Sequence, residues 1–156
     1  MYGNHTVKYT TASSTLPVFT KSIYMDRTKI HSLYLVDKDD NMDVLMIQDD
    51  ASLSSKTQSL VKFINLSPDA PALDLVIKDG AGLVSGKTYK TGSTYALIDS
   101  KKYTFEIKDS ATGEVKATLN DVDFAVSRYY TIIARGLMNP VSSNDQPFSG
   151  QVIINQ

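Results

Sequence analysis

Asp37, Asp39, Asn41 and Asp43 fall at alternate positions of the run Asp-Lys-Asp-Asp-Asn-Met-Asp. Oxygen donors at that spacing are what a hard cation such as calcium requires, and calcium is the one cofactor that the residues suggest. An EF-hand loop is excluded, because its sixth position is Met42 where glycine is needed and its twelfth is Gln48 where a bidentate glutamate is needed. The alternative reading is a solvated hairpin tip between Val36 and Val44, with Asp and Asn side chains holding the turn.

Other catalytic chemistry finds little to work with. The chain has two histidines and no cysteine, so it offers neither a thiolate nucleophile nor a histidine-built metal cage. His31 lies among Ile30, Leu33 and Leu35 and reads as a core-edge residue. No Gly-x-Ser-x-Gly turn or His-Glu-x-x-His helix accompanies it. Gly80, Gly82 and Gly86 sit in turns with no helix after them to cradle a phosphate. The expectation is that the protein is not an enzyme.

Two features suit recognition instead. Nine tyrosines and no tryptophan make tyrosine the main aromatic, and Tyr89 and Tyr95 are the rings expected to offer a face and a hydroxyl to a sugar or protein partner. Tyr103, Tyr129 and Tyr130 read as filling. The segment 137–150, Leu-Met-Asn-Pro-Val-Ser-Ser-Asn-Asp-Gln-Pro-Phe-Ser-Gly, exceeds the ~12 residues at which an unstructured connection becomes uncommon. Met138, Asn139, Pro140, Asn144, Asp145 and Phe148 are its candidate partner-facing residues.

These residues must be carried on strands. Between Thr6 and Ile47 short apolar segments alternate with Ser, Thr, Asp and Asn, and no window shows the i, i+3, i+4 stripe of a helix. Residues 51–59 are small and polar and read as a linker. From Val61 the strands resume. Pro68 and Pro71 fix their own φ and push Ser67 and Ala70 towards extended backbone, so 61–77 reads as two strands meeting at a corner. Later segments are expected at Leu73–Lys78, Lys87–Lys90, Thr94–Ile98, Tyr103–Lys108, Val115–Leu119, Val122–Phe124, Tyr129–Ala134 and Gln151–Ile154. Tyr103, Phe105 and Ile107 alternate with polar residues, placing one face on a core, while Tyr129–Ala134 is apolar on both faces, as a central strand is.

Segments at Thr6–Tyr9, Ile23–Met25 and Ile30–Val36 resemble Thr104–Ile107, Val122–Phe124 and Tyr129–Arg135 at an offset of about 99 residues. Residues 1–50 therefore read as the second half of a unit, 51–59 as a linker and 60–156 as a complete unit. The expected fold is all-β, an antiparallel β-sandwich of immunoglobulin-like or transthyretin-like kind. A half sandwich exposes an apolar face and a strand edge, so residues 1–50 are expected to be completed by strand exchange with a second copy of the chain, to pack on the second unit, or to be a truncation.

With 156 residues, a net charge of −1 and a pI near 6.1, the chain presents no field that would draw nucleic acid or an anionic membrane. No apolar run approaches the ~20 residues of a spanning helix, and the first residues contain neither a signal peptide nor a lipid-acceptor cysteine.

The stretch Val61, Lys62, Phe63, Ile64, Asn65, Ser67, Pro68, Asp69, Ala70, Pro71, Leu73 and Asp74 resembles the opening motif of a bacterial family, domain of unknown function 4397. That resemblance implies a tandem-repeat module of exported, lipid-anchored surface proteins. It implies a cell-surface or periplasmic location, with the anchor outside this sequence. The expected function is non-catalytic, structural or adhesion-like, towards a protein or glycan at the cell surface. The alternative is a carbohydrate- or peptide-binding module.

Overall fold

The computed structural model describes residues 3–38, 41–49 and 52–155. Among them the regular structure is all β. The chain divides into two compact units, 1–52 and 53–156.

The first unit consists of two antiparallel hairpins. β1 (Gly3–Thr10) pairs with β2 (Pro17–Met25), and β3 (Ile30–Val36) pairs with β4 (Asp43–Asp49). Where the sequence suggested two short segments, 16–19 and 23–25, a single strand runs through. Among the described residues of this unit, the buried hydrophobic ones are Ile23, Val36 and Val44.

The second unit begins with residues that the sequence suggested were linker. Ser55 Oγ accepts the N–H groups of Thr57 and Gln58, and the hydroxyls of Ser127 and Tyr129 donate to the carbonyls of Ser55 and Leu53. These bonds lead into β5 (Gln58–Asn65), buried at seven consecutive positions from Ser59. After the proline corner comes β6 (Leu73–Ile77), then β7 (Gly82–Lys87), the two-residue β8 (Thr91–Gly92) and β9 (Ala96–Asp99). The strand expected at 87–90 is instead a turn around Lys90, whose φ is 62°. β10 (Lys102–Asp109) and β11 (Val115–Asp123) form a hairpin, and β12 (Tyr129–Arg135) and β13 (Ser149–Asn155) close the unit. β11 merges two expected segments, 115–119 and 122–124, through a register irregularity and a left-handed Asp121 at φ 52°.

Two sheets result. One has the order β11-β10-β6-β7, and the other β13-β12-β5-β8 with β9 also on β5. β5 and β6 lie in different sheets, so the corner at 66–72 is where the chain crosses the sandwich. The expectation of an antiparallel sandwich holds with one exception: β5 and β12 run parallel, Leu60 opposite Tyr129 through Asn65 opposite Ala134. Parallel neighbours need a crossover connection, and the intervening strands of the opposite sheet supply it.

Alternation sets the core. Val61 and Phe63 of β5, Leu73 and Leu75 of β6, Phe105 and Ile107 of β10, and Tyr130 and Ile132 of β12 pack together. Phe105, Phe124 and Tyr130 meet as tilted rings, with centroids 5.5 Å and 4.2 Å apart. Each such aromatic contributes about 1.5–3 kcal/mol by burial alone.

Candidate functional site

The proline corner carries three polar side chains whose roles are architectural. Asn65 is fully buried. Its Oδ1 accepts the Ser67 N–H at 3.0 Å, and its Nδ2 donates to the carbonyls of Lys87 and Pro71 at 3.0 and 3.3 Å. Ser67, also buried, donates its hydroxyl to Gly136 O at 2.6 Å. Asp69 is exposed, yet its carboxylate spans the start of the long segment. Oδ1 accepts the Met138 N–H at 2.8 Å and Oδ2 the Asn139 N–H at 2.9 Å. Burial alone would raise the Asp69 pKa. The two N–H groups, with the Ser67 hydroxyl, outweigh it and hold the carboxyl below its ordinary value.

Residues 136–148 are therefore a built loop. Gly136 leaves β12 at φ 81°, and a Cβ there would collide with the carbonyl oxygens of Gln146 and Pro147, so only glycine fits. Leu137 N–H donates to Gln146 O, and Phe148 N–H donates back to Leu137 O, each at 2.8 Å. At the tip the Asp145 carboxylate accepts the N–H groups of Val141 and Ser142 at 3.0 Å. Met138 and Phe148 are half-buried against the core and anchor the loop. Asn139, Pro140 and Asn144 are exposed, and Asp145 is half-buried. Val141 stands out at 87% exposure, a β-branched apolar side chain held in water on a fixed backbone. The sequence reading passed over it, although an isolated valine inside a polar, proline-bounded loop was the available signal.

Tyr89 and Tyr95 are both half-buried. Tyr95 meets Tyr129 edge-on, 5.1 Å between centroids, and Lys62 Nζ, on a residue only 2% exposed, lies 4.9 Å from its ring. The Lys90 ammonium lies 5.0 Å from the Tyr89 ring. The two tyrosines thus each have a lysine over the ring, and neither belongs to the 136–148 loop. A separate open depression of about 400 Å3 lies between β7 and the β8–β9 connection, lined by Leu83, Val84, Lys87, Ser93 and Ala96 among others. β7 ends its sheet, so this depression borders a strand edge.

In the first unit, Asp43 forms an ion pair with Lys21 and its Oδ1 accepts the Val44 N–H at 2.7 Å. Asp37 occupies left-handed backbone at φ 61°, as a turn residue does. Asn41 is exposed, and Asp39 lies outside the described residues. Among the described residues no group of three or more His, Asp or Glu is gathered as a metal would require.

The second unit is thus an all-β sandwich in which a polar motif of the proline corner holds the loop 136–148. Residues 2–76 match the model of the family described as Domain of unknown function (DUF4397). The match runs through β1–β4 and on through β5 to β6. No curated protein matches the sequence. Among the described residues no helix is long and apolar enough to cross a membrane.

Proposed function

We propose that this is a non-catalytic module of an exported bacterial protein, adhesion-like in role, which binds a protein partner through the loop 136–148. The observation that carries this reading is the Asp69 clamp: the motif's Asp69 carboxylate fixes the backbone of Met138 and Asn139. A loop held in this way presents Asn139, Pro140 and Val141 with their ordering entropy already lost, which is how a rigid scaffold gains affinity. The cell-surface or periplasmic location rests on the motif's resemblance to surface proteins.

The test is binding of the labelled full chain to an array of surface glycans and extracellular-matrix proteins. Val141→Asp should weaken capture tenfold or more while the melting temperature stays within a degree or two. Capture unaffected by Val141→Asp and Asn139→Ala would remove the loop from the reading. A carbohydrate- or peptide-binding module is the second reading, favoured by the open depression beside the β7 edge, where an extended ligand could add to the strand. Binding lost on Leu83→Asp and retained in Val141→Asp would select it.

A further inference from the structure

β7 ends its sheet, and among the described residues its one strand neighbour is β6. Leu83, Val84 and Ser85 of this strand stand between two depressions. One, of about 170 Å3, is lined by these residues with Gly82 and with Asp74 and Val76 of β6. The other, the depression of about 400 Å3 already described, is lined by them with Lys87, Ser93, Thr94 and Ala96 among others. Leu73 and Leu75 pack into the core, so Asp74 and Val76 face away from it, and Lys87, opposite Leu73, faces inward. The two depressions therefore lie on opposite faces of one short strand edge.

The local sequence keeps this edge open. Gly82 and Gly86 bracket the three residues, and a Cβ at either would meet nothing within 4 Å. Opposite them the chain leaves β5 between β8 and β9, where the Ser93 hydroxyl, in place of a strand carbonyl, accepts the Phe63 N–H at 3.1 Å. Residues 82–86 contain neither a charge nor a proline, the residue types that blunt an exposed edge. Register irregularities on both sides of the Leu75–Val84 pair confine regular pairing to a few residues. An added strand must therefore draw much of its affinity from side chains in the two depressions.

Charge sets which side chains fit. On the outer face Asp74 Oδ1 accepts the Gly86 N–H at 2.7 Å and the Ser110 hydroxyl, which places a carboxylate at that depression. On the inner side Val84 and Ala96 offer apolar surface, with the Lys87 ammonium stem beside them. Successive residues of a strand face opposite ways. A basic residue outside with apolar residues inside complements both depressions, whereas the reverse sets the basic residue beside Lys87 and an apolar one beside a carboxylate.

We propose that β7 takes up an extended segment of a partner protein as an added strand, with a lysine or arginine over Asp74 and apolar residues at the two neighbouring positions facing the inner depression. Main-chain pairing holds the segment, and the alternate side chains select it. This inference rests on the second reading of the function given above and is independent of the loop 136–148.

The test titrates the end-blocked peptide Thr-Thr-Val-Lys-Val-Thr-Thr onto the full chain and follows amide hydrogen exchange. Binding should saturate, and exchange at 82–87 should slow at least fivefold. Affinity should fall at least tenfold when glutamate replaces the peptide's lysine, or when Thr94→Arg, at an exposed position, fills the inner depression. Asp74→Asn should weaken the lysine peptide severalfold and leave a norleucine peptide unchanged, a difference that lost folding would not produce. A peptide that binds without slowing β7, or equally well with glutamate, would overturn the inference and leave the second reading standing. So would a glycan captured through Leu83 with no peptide bound. Amides of β7 already slow without peptide and unmoved by it would overturn it too, because the edge is then filled by the chain itself or a second copy. If neither peptide nor glycan binds through Leu83, both the inference and the reading beneath it fall.

Discussion

Thr131 donates its hydroxyl to Asn155 Oδ1 at 2.9 Å, diagonally across the β12–β13 ladder. Ser32 makes the same diagonal bond to Asp49 Oδ2 at 2.7 Å across β3–β4. Thr131 is fully buried, so its hydroxyl depends on this partner. Replacing Thr131 by Val keeps the shape and strands the Asn155 carbonyl. The expected loss is about 1–2 kcal/mol, read as a lower urea midpoint with unchanged slope, and Thr131→Ser should lose less than Thr131→Val.

Asn65 satisfies one backbone N–H and two carbonyls from a fully buried position. Asn65→Ala removes all three bonds and leaves the N–H of the fully buried Ser67 without this partner. The cost should be about 2–4 kcal/mol. A thermal melt reads it directly, and a shift of under a degree would mean that the corner is held by its prolines alone.

Asp69→Ala should act locally, loosening 136–148 and accelerating exchange of the Met138 and Asn139 amides. Its cost to global stability should be about 1 kcal/mol, because the carboxylate is exposed and solvent screens it. The pH dependence follows from the depressed pKa of Asp69. A carboxyl whose folded pKa lies below its unfolded value of about 3.9 contributes stability above that value. The contribution fades as pH falls below it and is gone once pH passes the folded pKa. The wild-type chain should therefore lose loop protection in that acid window, whereas Asp69→Asn should show a flatter profile there.

Gly136→Ala combines a left-handed φ with direct overlap on the Gln146 and Pro147 carbonyls. The backbone penalty alone is of order 1–3 kcal/mol, and the overlap adds to it by forcing the loop away from Leu137. Exchange protection at Leu137 and Phe148 should fall together, since their N–H groups hold the two arms of the loop. Protection lost at neither would show that the loop can shift as a body.

The corner was legible from sequence because Pro68 and Pro71 restrict backbone locally, whatever surrounds them. The alternation of Tyr103, Phe105 and Ile107 fixed which face of β10 meets the core, and the apolar run 129–134 marked β12 as central. The parallel pairing of β5 with β12 was not legible, because nothing in two apolar strands distinguishes a parallel neighbour from an antiparallel one. The strand expected at 87–90 failed for a related reason: Lys90 adopts a left-handed turn that its residue type does not announce.

Sequence by itself determined the all-β class, the bend at 66–72 and the absence of thiol chemistry, because each follows from properties that residues carry alone or with near neighbours. Only the tertiary structure decided that Asp69 serves the loop 136–148. Those partners lie about seventy positions away along the chain, and a hydrogen bond between them exists only once the crossing of the sandwich has brought the corner beside the end of β12.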